Sequence, residues 1–264
     1  MSTQPIPLTA EDVFTDTYKR FIKNWTFITA LRQFVEIGMP FAEFALAEVH
    51  TDYIERIAVD PEYKKMIVKL DGGEASWDEE TKRIFREGMT DNVVASTKSG
   101  IDAASLVFAQ STLDDCALSF LEACSIANPT DWEPIVSEKK VAFSDLQGRT
   151  PESIREELIK DKLKALEKDS LLKKVDLLFR LCSPPAGFAP INHYAYDRDE
   201  LERIDEARHG IIHRDGLGNP IPTIEADLKF ISGTANYLMA LVNAKYGMQL
   251  SIFRIMNLAN FPIG

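Results

Sequence analysis

The sequence predicts an all-α protein, and three observations carry that prediction. Apolar residues recur at three- and four-residue spacing through most of the chain, which is the repeat of one helix face. No series of alternating apolar and polar residues appears between turns, as a sheet would require. Helix ends are marked by hydroxyl or carboxylate residues ahead of the apolar runs and by glycine and proline after them.

The 264 residues can bury a substantial core as one large domain or two small ones. A hydrophobic content of 45% with 27% charged residues is ordinary for a soluble globular chain. The formal charge of -11 argues against nucleic-acid binding by bulk electrostatics, so any such contact needs a local basic or polar pocket.

In chain order, the first ten residues, with Pro5 and Pro7, read as a loose leader. A helix begins near Thr9, a capping hydroxyl, with Glu11 and Asp12 in its first turn. Its apolar pattern runs from Val13 and Phe14 to Phe27, Ile28, Leu31, Phe34 and Val35. Gly38 and Pro40 are expected to break it, and a second helix follows over about 41–57. Residues 61–77 are ambiguous, with a short strand or helix end at Met66–Leu70 and a turn at Asp71-Gly72-Gly73. A charged helix is expected from Asp78 to about Gly88 and a long one from about Asp91 to Ala127, closed by Asn128-Pro129.

Residues 128–149 read as a connector. Thr150-Pro151-Glu152 is a strong helix start, and that helix continues to Cys182 with a break at Asp169-Ser170. Ser183-Pro184-Pro185 stops it. Asp197 caps a helix carrying Leu201, Ile204 and Ile211, and Glu200 completes a capping box. Gly216–Pro220 is a loop, Thr223 caps the next helix, and Gly247 ends it. This gives a helical N-terminal extension over 1–90, an antiparallel four-helix bundle over 91–247 and a short C-terminal helix or tail over 248–264.

Cys116, Cys124 and Cys182 form neither a disulfide framework nor a zinc pattern, and read as buried thiols. The N-terminus lacks the basic start and apolar run of a secretory signal. No segment reaches the roughly 20 apolar residues of a membrane span, so a cytoplasmic location without membrane contact is expected.

Candidate chemistry concentrates in Asp205–Gly216, which holds two of the four histidines. Phosphate-binding and dinucleotide loops, zinc-protease and serine-hydrolase motifs and paired CxxC are absent from the sequence. His209 and His213 are four apart, and Glu206-x-x-His209 has the spacing of a di-iron ligand pair. A second Glu-x-x-His is missing, however, and only Asp205 or Asp215 could join the histidines, so no metal or other cofactor is expected.

Arg208 and His213 suit a different chemistry. A guanidinium can clamp a phosphate with two parallel hydrogen bonds, and a histidine exchanges protons near neutral pH. Together they fit RNA cleavage by its own 2′-hydroxyl, with His213 moving the proton and Arg208 stabilising the phosphorane-like transition state. On a regular helix, five steps of about 100° leave the two roughly 140° apart. A bend near Gly210, a long reach by Arg208, or two motifs facing each other across a dimer would each resolve this. Otherwise Arg208 simply pairs with Asp205 or Glu206, and His213 caps the helix end.

The run Arg208-His209-Gly210-Ile211-Ile212-His213, followed by Arg214-Asp215-Gly216, resembles the R-x4-6-H signature of HEPN domains (higher eukaryotes and prokaryotes nucleotide-binding). The resemblance extends over about 195–245, is only architectural over 91–182, and does not cover the N-terminal ninety residues. It implies a four-helix bundle, usually homodimeric, acting as a metal-independent endoribonuclease that leaves 2′,3′-cyclic phosphate ends. Many members are toxins or phage-defence components with an antitoxin or regulatory partner. Arg208 and His213 match the two defining positions, His209 the position after the arginine, often Asn in the family, and Arg214 is a candidate RNA contact. A non-catalytic nucleotide-, RNA- or protein-binding module is the alternative that the resemblance leaves.

Overall fold

The computed structural model describes residues 8–60, 78–137, 148–184, 188, 196–215 and 220–248. Among them every regular element is helical, as expected. In chain order these are α1 (Ala10–Val59), α2 (Glu79–Ala127), a 3-10 turn (Pro129–Trp132), α3 (Glu133–Val136), α4 (Pro151–Leu166), α5 (Leu171–Cys182), α6 (Arg198–Gly210), a π turn (Ile211–Asp215) and α7 (Ile224–Tyr246). The possible strand at 66–70 and the expected C-terminal element over 249–264 lie outside the described residues. No described helix is long and apolar enough to cross a membrane.

Most helix starts follow from their first side chains. Thr9 and Asp12 form a reciprocal cap on α1: each side chain accepts from the other's backbone N–H, both at 3.1 Å. Asp78 accepts from the Thr81 N–H at 2.8 Å, and Thr150 accepts from that of Ser153 at 3.2 Å. Asp197 accepts from the N–H groups of Asp199 and Glu200 at 2.9 and 3.2 Å. The Glu200 carboxylate turns instead to Arg203, so only one half of the expected capping box forms. Thr223 holds the cap position of α7 without capping it, because its hydroxyl donates to Asp227 at 2.8 Å. Gly247 ends α7 with a left-handed φ of 67°, a conformation open to glycine at little cost.

Two expected breaks do not occur. α1 runs uninterrupted through Gly38 and Pro40 for 50 residues. Proline removes one N–H, so the Glu36 carbonyl loses its donor; both residues are exposed, where water can take that place. α2 likewise runs through Gly88 and Asp91 as one helix of 49 residues. A helical glycine costs only about 1 kcal/mol against alanine, and the buried pair His50–Thr90, hydrogen-bonded at 2.9 Å, pins this segment to α1. The break at Asp169-Ser170 is real and separates α4 from α5, with Ser170 capping α5.

The described residues fall into two compact units. One comprises Met1–Phe27, Leu106–His209 and Thr223–Gly264, and its core contains Phe14, Phe120, Trp132, Leu178, Ile204 and Ile231, all at most 2% exposed. Cys116, Cys124 and Cys182 are buried free thiols there, as expected. Lys174, 1% exposed, donates to both carboxylate oxygens of Asp114 at 2.7 Å and ties α5 to α2. Arg203 donates to the buried Asp227 and ties α6 to α7.

The other unit comprises Ile28–Ser105 and Gly210–Pro222. Its pairs Arg32–Asp102 (3.1 Å), His50–Thr90 and Glu55–Lys82 (2.9 Å) run in opposite chain directions, so the two long helices lie antiparallel there.

Candidate active site

Two side chains anchor α6: Leu201 and Ile204 are fully buried. One helical turn after Leu201, Asp205 accepts from the Gln110 amide of α2 at 2.5 Å. Arg208 follows three residues later, with Nη2 at 3.6 Å from the same Asp205 oxygen. This contact with Asp205 is the simple pairing that the sequence allowed, but it leaves part of the guanidinium unused. Among the described residues the buried Arg208 Nε–H has no hydrogen-bond partner, and neither has the buried Gln110 carbonyl oxygen. An unmatched donor and an unmatched acceptor, both buried, lie on residues that share Asp205; each would cost about 1–3 kcal/mol if left dry.

His209 is exposed on the last turn of α6. Beyond Gly210 the backbone leaves the α pattern: Ile211–Asp215 is a π turn, in which each N–H reaches back five residues instead of four. The uniform 100° step used to project Arg208 and His213 therefore does not hold past Gly210. π turns are rare and often mark functional positions.

His213 lies in this turn and is exposed. The division between the compact units falls between His209 and Gly210, so Arg208 and His209 belong to one unit and His213 to the other. Arg214, the expected RNA contact, and Asp215 also fall in the turn, and their side chains lie outside the described residues. Among the described residues no three His, Cys, Asp or Glu side chains gather as a metal-ligand set.

Gln110 was not singled out by the sequence. Its signal was an amide inside the apolar run of α2, between Leu106 and Leu113, at a position only 1% exposed. A buried polar side chain in such a helix face either finds a partner or costs stability; here the partner is Asp205. Trp132 is fully buried and Trp25 stacks on Phe21 at 5.8 Å, so both behave as packing residues. Lys160, Lys164 and Lys168, which alternate with acids in the sequence, are exposed, and Lys162 is half-buried.

No protein-family model, no curated protein and no solved structure matches this chain.

Proposed function

We propose that the protein is a metal-independent endoribonuclease of HEPN type, acting as a homodimer whose two motifs supply one cleft. The observation that carries this reading is the Arg208–His213 signature at the point where α6 gives way to a π turn. His213 moves the 2′-hydroxyl proton, Arg208 stabilises charge on the phosphorane-like transition state, His209 assists, and Arg214 contacts the RNA backbone. The Arg208 Nε–H supports the reading, because among the described residues it is a donor without an acceptor. Such an enzyme acts as a toxin or a phage-defence component, held in check by an antitoxin or a regulatory protein, in the cytoplasm.

The net charge of -11 favours a second reading: a non-catalytic HEPN-like module that binds a nucleotide, an RNA or a protein without turnover. Expression in a bacterial host separates the two. The ribonuclease is expected to slow growth, and Arg208→Ala to restore it at equal protein level. Growth arrest that persists in Arg208→Ala would count against a catalytic role for that residue.

A further inference from the structure

Gln110 costs the fold more than an apolar residue would, and the contacts of its amide indicate what it does. The residue is 1% exposed. Its Nε2 donates to Asp205 Oδ1 at 2.5 Å, while among the described residues its carbonyl oxygen has no partner. A buried amide satisfied on one side only is a poor device for joining α2 to α6, because the other side has given up water for nothing. A leucine would fill similar space without that cost. Stability alone does not account for this side chain.

What the amide does accomplish is to fix one carboxylate oxygen. The same Asp205 Oδ1 lies 3.6 Å from Arg208 Nη2, one helical turn further along α6. The Asp205 side chain is 24% exposed, so without Gln110 water would compete for that oxygen. Gln110, Asp205 and Arg208 form a chain from a buried amide to a side chain that is 34% exposed. Arg208 Nε is buried, so the exposed part of this side chain lies on its other atoms. All three residues belong to one compact unit. An arginine is rich in rotamers, and a guanidinium aimed in advance loses less entropy when it meets developing charge on a phosphate.

We infer that Gln110 and Asp205 are positioning residues for Arg208: the Gln110 amide fixes the Asp205 carboxylate, and the carboxylate holds the guanidinium. The benefit to RNA cleavage rests on the ribonuclease reading; the positioning itself does not. Neither residue has to touch RNA. Asp205→Asn keeps an oxygen for Gln110 to donate to and removes only the charge. Removing a negative charge cannot weaken attraction for a polyanion, so rate and affinity should separate.

Single-turnover RNA cleavage is expected to slow about tenfold in Gln110→Leu and in Asp205→Asn, the scale of a small misplacement of Arg208. Binding of a 2′-O-methyl RNA, which cannot cleave itself, is expected to be no weaker in either, and the unfolding midpoint of Gln110→Leu no lower than wild type. On an Arg208→Ala background, Gln110→Leu is expected to cost nothing further. The second readout needs no RNA. In the ¹⁵N-labelled full chain the Arg208 Nε–H resonance, identified by its loss in Arg208→Ala, is expected to exchange slowly with water. Both Gln110→Leu and Asp205→Asn are expected to speed that exchange at least tenfold. Unchanged exchange in the two variants overturns the positioning, as does a Gln110→Leu rate loss that persists in full on Arg208→Ala. Wild-type protein that leaves RNA intact sinks the ribonuclease reading instead, and the Nε–H exchange then decides the positioning by itself.

Discussion

Asp114→Ala is expected to destabilise the protein by about 3 kcal/mol, read as a lowered midpoint of urea unfolding at neutral pH. The Lys174 side chain is 1% exposed, and its ammonium donates to both Asp114 carboxylate oxygens at 2.7 Å. Truncating the carboxylate leaves a buried cation without compensation, which costs about 3–5 kcal/mol when a buried pair is broken from one side. The lower part of that range applies because the Asp114 side chain is 37% exposed and water can reach the vacated space. Lys174→Met removes the charge together with the need for a partner. It is expected to cost much less, since replacing a buried ion pair by packed apolar atoms is often neutral. Equal losses in the two variants would mean that packing, and not the charge, is what Lys174 contributes.

His213→Ala is expected to lower the rate of RNA cleavage by about 10²–10⁴-fold, the usual contribution of a positioned acid or base. Arg208→Ala is expected to lower it by about 10²–10³-fold through lost charge stabilisation in the transition state. Single-turnover kinetics with excess protein would separate these losses from weaker RNA binding. His213→Ala should keep the wild-type unfolding midpoint to within about 0.5 kcal/mol, because His213 is exposed. A rate loss accompanied by a large stability loss would instead assign Arg208 to the scaffold.

The helical fold was legible because its signals are local. Thr9, Asp78, Thr150 and Asp197 cap the helices that they precede, and Gly247 ends α7 in the conformation glycine favours. Pro40 and Gly88 misled, for the same reason that local signals usually work: each has a fixed cost, but a long helix held by neighbours can absorb it. Spacing reveals which residues share a helix face but not whether anything lies against that face. Thus Phe34 continued the same apolar repeat as Phe14, yet Phe14 is fully buried and Phe34 is 77% exposed. Ion pairs between elements far apart in sequence, such as Lys174–Asp114 and Arg203–Asp227, leave no periodic trace at all.

At the candidate site, the sequence supplied the residues and their expected chemistry, and helix arithmetic supplied the difficulty. The π turn at Ile211–Asp215 could not be read from residue types, because it depends on how the backbone is held at both ends. Gln110 escaped notice because its partner, Asp205, lies 95 residues away.

The most direct test of the ribonuclease account is the chemistry of the RNA ends produced by purified protein in EDTA. Attack by the 2′-hydroxyl must leave a 2′,3′-cyclic phosphate and a 5′-hydroxyl, with no metal required, and His213→Ala must slow the appearance of both by at least about 10²-fold. Fragments with 3′-hydroxyl and 5′-phosphate ends, or cleavage that His213→Ala leaves intact, would contradict it.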